Sequence, residues 1–243
     1  MPKFSAPLFA ILLLGALYAG GAAAQTELSA APAETWISYR DAYRAMLRFE
    51  KYGKPKHWLQ SNLQLVPRSK GVSHEGLQLH LRSASLNLLL PIDASLRIAF
   101  PFLKAAYDDN AVLVLNRKDG QFAYQPLVSL VTRSDGVYDL SDVRTACEQA
   151  LNYRNFADAS GGRGQRCTGL EVVYHKDKGQ SALSLRFRKT TQEMVPVPPG
   201  AIGPFARALG DAFVSIPFRL EDWPDQGQLL LTSTPLAILA LIE

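Results

Sequence analysis

The chain has 243 residues, 47% hydrophobic and 20% charged. That balance excludes a disordered or low-complexity protein, which lacks the apolar residues to build a core. The net charge of +4 comes from 26 basic against 22 acidic residues scattered among one another, which argues against a nucleic-acid binder with its concentrated basic patch.

The N-terminus has the pattern of a cleavable signal peptide over residues 1–24. Lys3 precedes the apolar run Leu8 to Leu17, and Ala22-Ala23-Ala24 offers the small residues a signal peptidase requires. Cleavage is expected between Ala24 and Gln25. A retained anchor is disfavoured, because the apolar run is shorter than the roughly 20 residues of a membrane-spanning helix and Gly20-Gly21 interrupts it. The mature chain would hold 219 residues and, without Lys3, a charge of +3. It is read as periplasmic or secreted, not membrane-spanning, and as belonging to a bacterial envelope from the style of its signal peptide. Residues 25–34 form a small-residue leader, and 35–243 is the exported folded region.

Thr35 to Tyr52 places Trp36, Tyr39, Tyr43, Met46 and Leu47 at helical spacing, with Thr35 as cap and Gly53 as stop. The opposite side carries Arg40, Arg44, Arg48 and Lys51. Such a helix suits either an anionic membrane surface or, more simply, a solvated outer face. From Asn62 the period changes to two, predicting strands at 63–65, 77–81, 86–90, 96–100 and 112–115. Asp119-Gly120 turns the chain into 122–124, and 127–131 continues the sheet.

Ser134-Asp135-Gly136 reads as a turn and Asp139 as the cap of a second helix to about Tyr153, with Val143, Ala146, Cys147, Ala150 and Leu151 facing inward. A strand from Leu170 to His175 is expected to form a hairpin through Asp177-Lys178-Gly179 with 183–187. Residues 194–200, with three prolines, read as a loop. A helix is expected from Gly203 to Phe213 with Pro204 in its first turn. Strands follow at 216–220 and 229–232, and the apolar segment 235–242 is a buried strand or short helix. The fold class is therefore α+β, rich in short antiparallel strands, with about three helices. One intertwined domain and two halves, 35–133 and 134–243, both remain open.

Cys147 and Cys167 are the two cysteines of the chain, and their spacing matches neither a redox Cys-x-x-Cys nor a four-ligand metal set. A structural disulfide is expected, closing a loop that would stabilise the fold by about 3 kcal/mol in the chain-entropy model.

The catalytic motifs are near misses. In Gly71-Val72-Ser73-His74-Glu75-Gly76, Glu75 occupies the place where a nucleophile elbow needs glycine. His74 and His80 are six apart, whereas a helical zinc motif needs four, and on a strand they lie too far apart to share an ion. Asp108-Asp109, Asp139 with Asp142, and Glu221-Asp222 read as turn, cap and polar loop. Ser160-Gly161-Gly162-Arg163-Gly164 lacks the Lys-Ser/Thr ending of a phosphate loop. No catalytic set, metal site or cofactor is expected.

Binding remains. Arg186, Arg188 and Lys189 share a strand end, and Arg163 and Arg166 would join them if the disulfide ties their loop to the neighbouring hairpin. Trp58 and Trp223 suit stacking on sugars or plugging the core. These residues suggest a non-enzymatic envelope protein that binds an anionic envelope polymer, a lipid head group or an envelope protein. The alternative is a cell-envelope hydrolase of glycan or ester bonds, its site assembled from distant groups such as His74, Asp108 and Glu221. A purely structural subunit would instead present a large apolar patch.

Overall fold

A computed structural model describes residues 35–158, 164–178, 185–188, 194–197 and 201–243. The first described element is a strand, Thr35–Ser38 (β1), as suits the β-branched Thr35 and Ile37 and the aromatic Trp36. Ser38 then caps the helix Tyr39–Glu50 (α1), its hydroxyl accepting from the Asp41 amide at 3.4 Å. The helix thus begins three residues later than the sequence suggests, capped by Ser38 instead of Thr35. Tyr39, Ala42, Met46 and Phe49 form its buried face, and Leu47 is only partly buried.

The next strands are Leu59–Pro67 (β2), Leu79–Arg82 (β3), Asn87–Leu90 (β4) and Arg97–Ile98 (β5). A five-residue helix, Lys104–Asp108 (α2), was not anticipated. Val112–Leu115 (β6) and Phe122–Leu130 (β7) follow. The two segments expected at 122–124 and 127–131 are one strand. Pro126 is tolerated within it because, among the described residues, β7 pairs with β2 alone, at the edge of the sheet β5-β2-β7.

Val137–Asp139 (β8) leads into Leu140–Ala157 (α3), with Asp139 at the N-cap position but making no side-chain capping bond, and the helix runs four residues longer than predicted. Gln228 Nε2, rather than a helix amide, donates to the Asp139 carboxylate at 2.8 Å. The remaining elements are Cys167–His175 (β9), Leu185–Arg188 (β10), Met194–Pro196 (β11), Pro204–Leu209 (α4), Phe213–Arg219 (β12), Gln228–Leu231 (β13) and Ala237–Ile242 (β14). The expected hairpin of β9 with β10 does not form. β9 pairs instead with β12 and β14, and β10 pairs with β11 and β13 in another sheet. Residues 194–196, expected as loop, are the strand β11.

Four sheets result, β1-β6-β3-β4, β11-β10-β13-β8, β12-β9-β14 and β5-β2-β7, with antiparallel pairs throughout the described residues. The fold is α+β. The described residues from 35 to 243 fall within one compact unit.

The sheet β12-β9-β14 has a hydrophobic cluster on each face. Val173, Phe213, Ala237 and Leu239 point into one, and Leu170, Val172, Tyr174, Ile216, Phe218 and Ile238 into the other. The alternation follows from the two-residue period of a strand. Covering both faces explains why β9 is buried almost without interruption, as strands between two layers are. α1 spans both clusters, giving Tyr39 and Met46 to the first and Phe49 to the second. No described helix is long and apolar enough to cross a membrane.

Candidate functional site

α1 and α3 lie beside the edges of two sheets, where β7 and β14 come together without hydrogen bonds between them. A groove of about 530 Å³ runs there. Its floor is Pro126 and Val128 from β7 and Leu239, Ala240 and Ile242 from β14. Its walls are Ala45 and Arg48 from α1 and Ala150, Tyr153, Arg154 and Ala157 from α3. Alanine at four of these positions leaves room that larger side chains would fill. The volume falls within the range of about 300–1,000 Å³ usual for small-molecule sites.

The charges of the groove have one sign. Arg48 and Arg154 are exposed at its rim, and among the described residues neither has a carboxylate partner. A second hollow of about 500 Å³ adjoins it through Ala45 and Arg48, adding Arg44, Lys51 and Phe156. Arg44 is paired with Asp41 at 3.2 Å. Phe156 is 46% exposed, its ring 5.0 Å from that of Tyr52. Tyr153 meets Phe49 and Tyr52 edge-on at 5.2 and 5.3 Å. Burial raises the pKa of the Tyr153 phenol, and the Arg48 charge opposes that rise, so the ring enters the groove as a neutral wall. Among the described residues that line it, the groove has no carboxylate, histidine, serine or cysteine. This arrangement can desolvate an apolar group and hold an anion beside it.

The residues singled out from the sequence lie elsewhere. Trp58 is partly buried against the second cluster, its amide donating to Gln149 Oε1 at 3.1 Å. Trp223 stacks on Phe218, with ring centroids 5.6 Å apart. Arg166 extends β9 by backbone pairing with Glu243, its amide donating at 2.8 Å and its carbonyl accepting at 3.0 Å. Arg186 and Arg188 are described in their backbone alone, within β10; Arg163 and Lys189 lie outside the described residues. The hairpin that was to bring Arg163 and Arg166 beside the β10 end is absent, since β9 and β10 belong to different sheets. Cys147 and Cys167 form the expected disulfide, with Cα atoms 5.7 Å apart.

The groups of the hydrolase alternative are not gathered in one cavity. Asp108 ends α2, paired with Lys104, and Glu221 lies in a single 3-10 turn after β12. His74 lines a recess that has neither of them in its walls. No three metal-ligating side chains cluster among the described residues. One polar feature escaped the sequence reading: Glu171 on β9 is 1% exposed, and its carboxylate accepts from the Phe205 and Ala206 amides at 3.2 and 2.9 Å. Only its place within an apolar run marks it in the sequence.

Compared with known proteins, the chain matches no family model, no curated protein and no solved structure.

Proposed function

We propose that the protein is an exported, non-enzymatic binding protein of the bacterial envelope whose groove takes the apolar tail of an anionic amphiphile. The carboxylate or phosphate end of the ligand meets Arg48 and Arg154. The observation that carries this reading is the apolar groove lined by Arg48 and Arg154, neither of which has a carboxylate partner among the described residues. Tail burial supplies affinity and the guanidinium forks select the anion. Export is supported by the signal-peptide pattern of residues 1–24 and by the cysteine pair, which suits an oxidising compartment.

Calorimetry of the mature protein with dodecanoate, dodecanol and dodecylammonium below their micelle concentrations tests the proposal. Dodecanoate should bind most tightly and dodecylammonium least. Each methylene removed from the acid should weaken binding about fourfold, the equivalent of roughly 0.8 kcal/mol. Arg48→Ala with Arg154→Ala should erase the preference for the anion, and Ala45→Phe, which fills the groove from an exposed helix position, should weaken every ligand. Equal affinity for all three head groups, or no saturable binding of dodecanoate, overturns the assignment.

A further inference from the structure

A second cavity, of about 520 Å³, opens where the loop between β2 and β3 faces the turn between α4 and β12. Arg68, Lys70 and His74 line it from the first side and Arg207 and Asp211 from the second. Three cations therefore face one carboxylate. Neither arginine is loose. Arg68 Nε donates to the Phe122 carbonyl at 3.3 Å, and one terminal nitrogen of Arg207 donates to the Ile202 carbonyl at 2.7 Å. Each guanidinium is thus held by one backbone oxygen, and its other N–H groups have no acceptor among the described residues. This is the arrangement that a guanidinium fork needs to grip a tetrahedral oxyanion.

His74 lines the same recess, its ring 6.4 Å from that of Phe122 and 6.2 Å from that of Phe213. Partial burial between them lowers its pKa. That burial favours the uncharged imidazole, whereas an anion beside it would favour the protonated form. Across Phe213 stands His175, paired with Asp177 at 3.0 Å. The Arg117 guanidinium is engaged by the Glu75 carbonyl next to His74, and Asp211 is the acidic group in the walls.

We infer that this recess binds a phosphoryl group, held by Arg68, Lys70 and Arg207, with His74 as a neighbour that gains a proton as the anion enters. The recess shares no lining residue with the groove between α1 and α3. The test is an NMR titration of the histidine ring signals of the mature protein, with His74→Gln assigning the resonance. Inorganic phosphate, compared with chloride at equal ionic strength, should move the His74 midpoint upward and leave that of His80 in place. Lys70→Glu, an exposed change that spares the backbone contacts, should abolish the shift, and so should Arg207→Ala. A shift with phosphatidate vesicles but not with inorganic phosphate keeps the site and assigns its phosphoryl group to a lipid. An equal shift in chloride, no shift with either probe, or a shift that survives both variants overturns the inference.

Discussion

Glu171 and Gly203 are in such close approach that a methyl group on Gly203 would lie 2.2 Å from the Glu171 carboxyl carbon. The carboxylate satisfies two free amides in the first turn of α4, and Gly203 itself donates to Ser215 Oγ at 2.8 Å. Gly203→Ala must push the buried acid off its donors and should cost about 1–3 kcal/mol, the usual range for overpacking. Glu171→Gln keeps the size but leaves one amide without a good acceptor, at a similar cost of about 1–3 kcal/mol. Because both changes break one contact, their effects should add to less than their sum. Urea unfolding of the two single variants and the double variant measures this; full additivity would show that the contact is not shared.

The disulfide joins α3 to the first residue of β9, the central strand between the two hydrophobic clusters. Replacing Cys147 and Cys167 together by serine should lower unfolding stability by about 3 kcal/mol, mainly by releasing the unfolded chain. Thiol titration of the unreduced, denatured protein should find no free thiol, since the two cysteines are joined. Two titratable thiols would contradict the bridge.

What was legible in the sequence was local. α3 could be read because its cap and inward residues repeat within one segment, and β3 because Leu79 and Leu81 alternate with His80 and Arg82. The partners of β9 were not legible: a hairpin rule points to the next strand along, whereas β12 and β14 are chosen by burial of both faces of β9. The start of α1 was misread because the aromatic spacing runs unbroken through Ser38, whose capping decides the boundary. The groove was harder still. Ala45, Pro126, Ala150 and Ala240 come from four elements, and none is chemically conspicuous; only Arg48 showed, as part of a basic helix face.

Asp135 titrates at about 2, below its ordinary 3.8, chiefly because Arg133 donates two hydrogen bonds to it at 3.0 and 2.8 Å, with a further bond from the Val137 amide at 3.0 Å. A carboxyl whose folded value is depressed stabilises the fold above its unfolded value and loses that contribution as pH falls through the folded one. The window is therefore acidic, from about 4 down to about 2. Asp135→Asn should flatten the stability profile there and leave its slope near neutral pH unchanged. A carboxyl-carbon NMR titration should find the Asp135 midpoint near the lower limit; a midpoint at the ordinary aspartate value would refute the contact.

Arg40 and Arg48 lie on the same helix, and the structure separates their roles. Arg40 is spent on the fold: Nε donates to the Tyr107 carbonyl at 2.7 Å, a terminal nitrogen to the Asp108 carbonyl at 3.1 Å, and its guanidinium lies 5.1 Å from the Tyr107 ring centre. Those carbonyls end α2, where a short helix leaves acceptors unsatisfied and a cation is favourable. Arg40→Ala should therefore cost about 1–2 kcal/mol in urea unfolding and leave dodecanoate affinity unchanged. Arg48 has no such acceptor among the described residues. Arg48→Ala should change stability by no more than about 0.5 kcal/mol and weaken dodecanoate. The crossed pattern is the test: if Arg48→Ala destabilises the fold as much as Arg40→Ala, or leaves dodecanoate binding intact, the groove is a surface hollow and its arginine rim an ordinary solvated face.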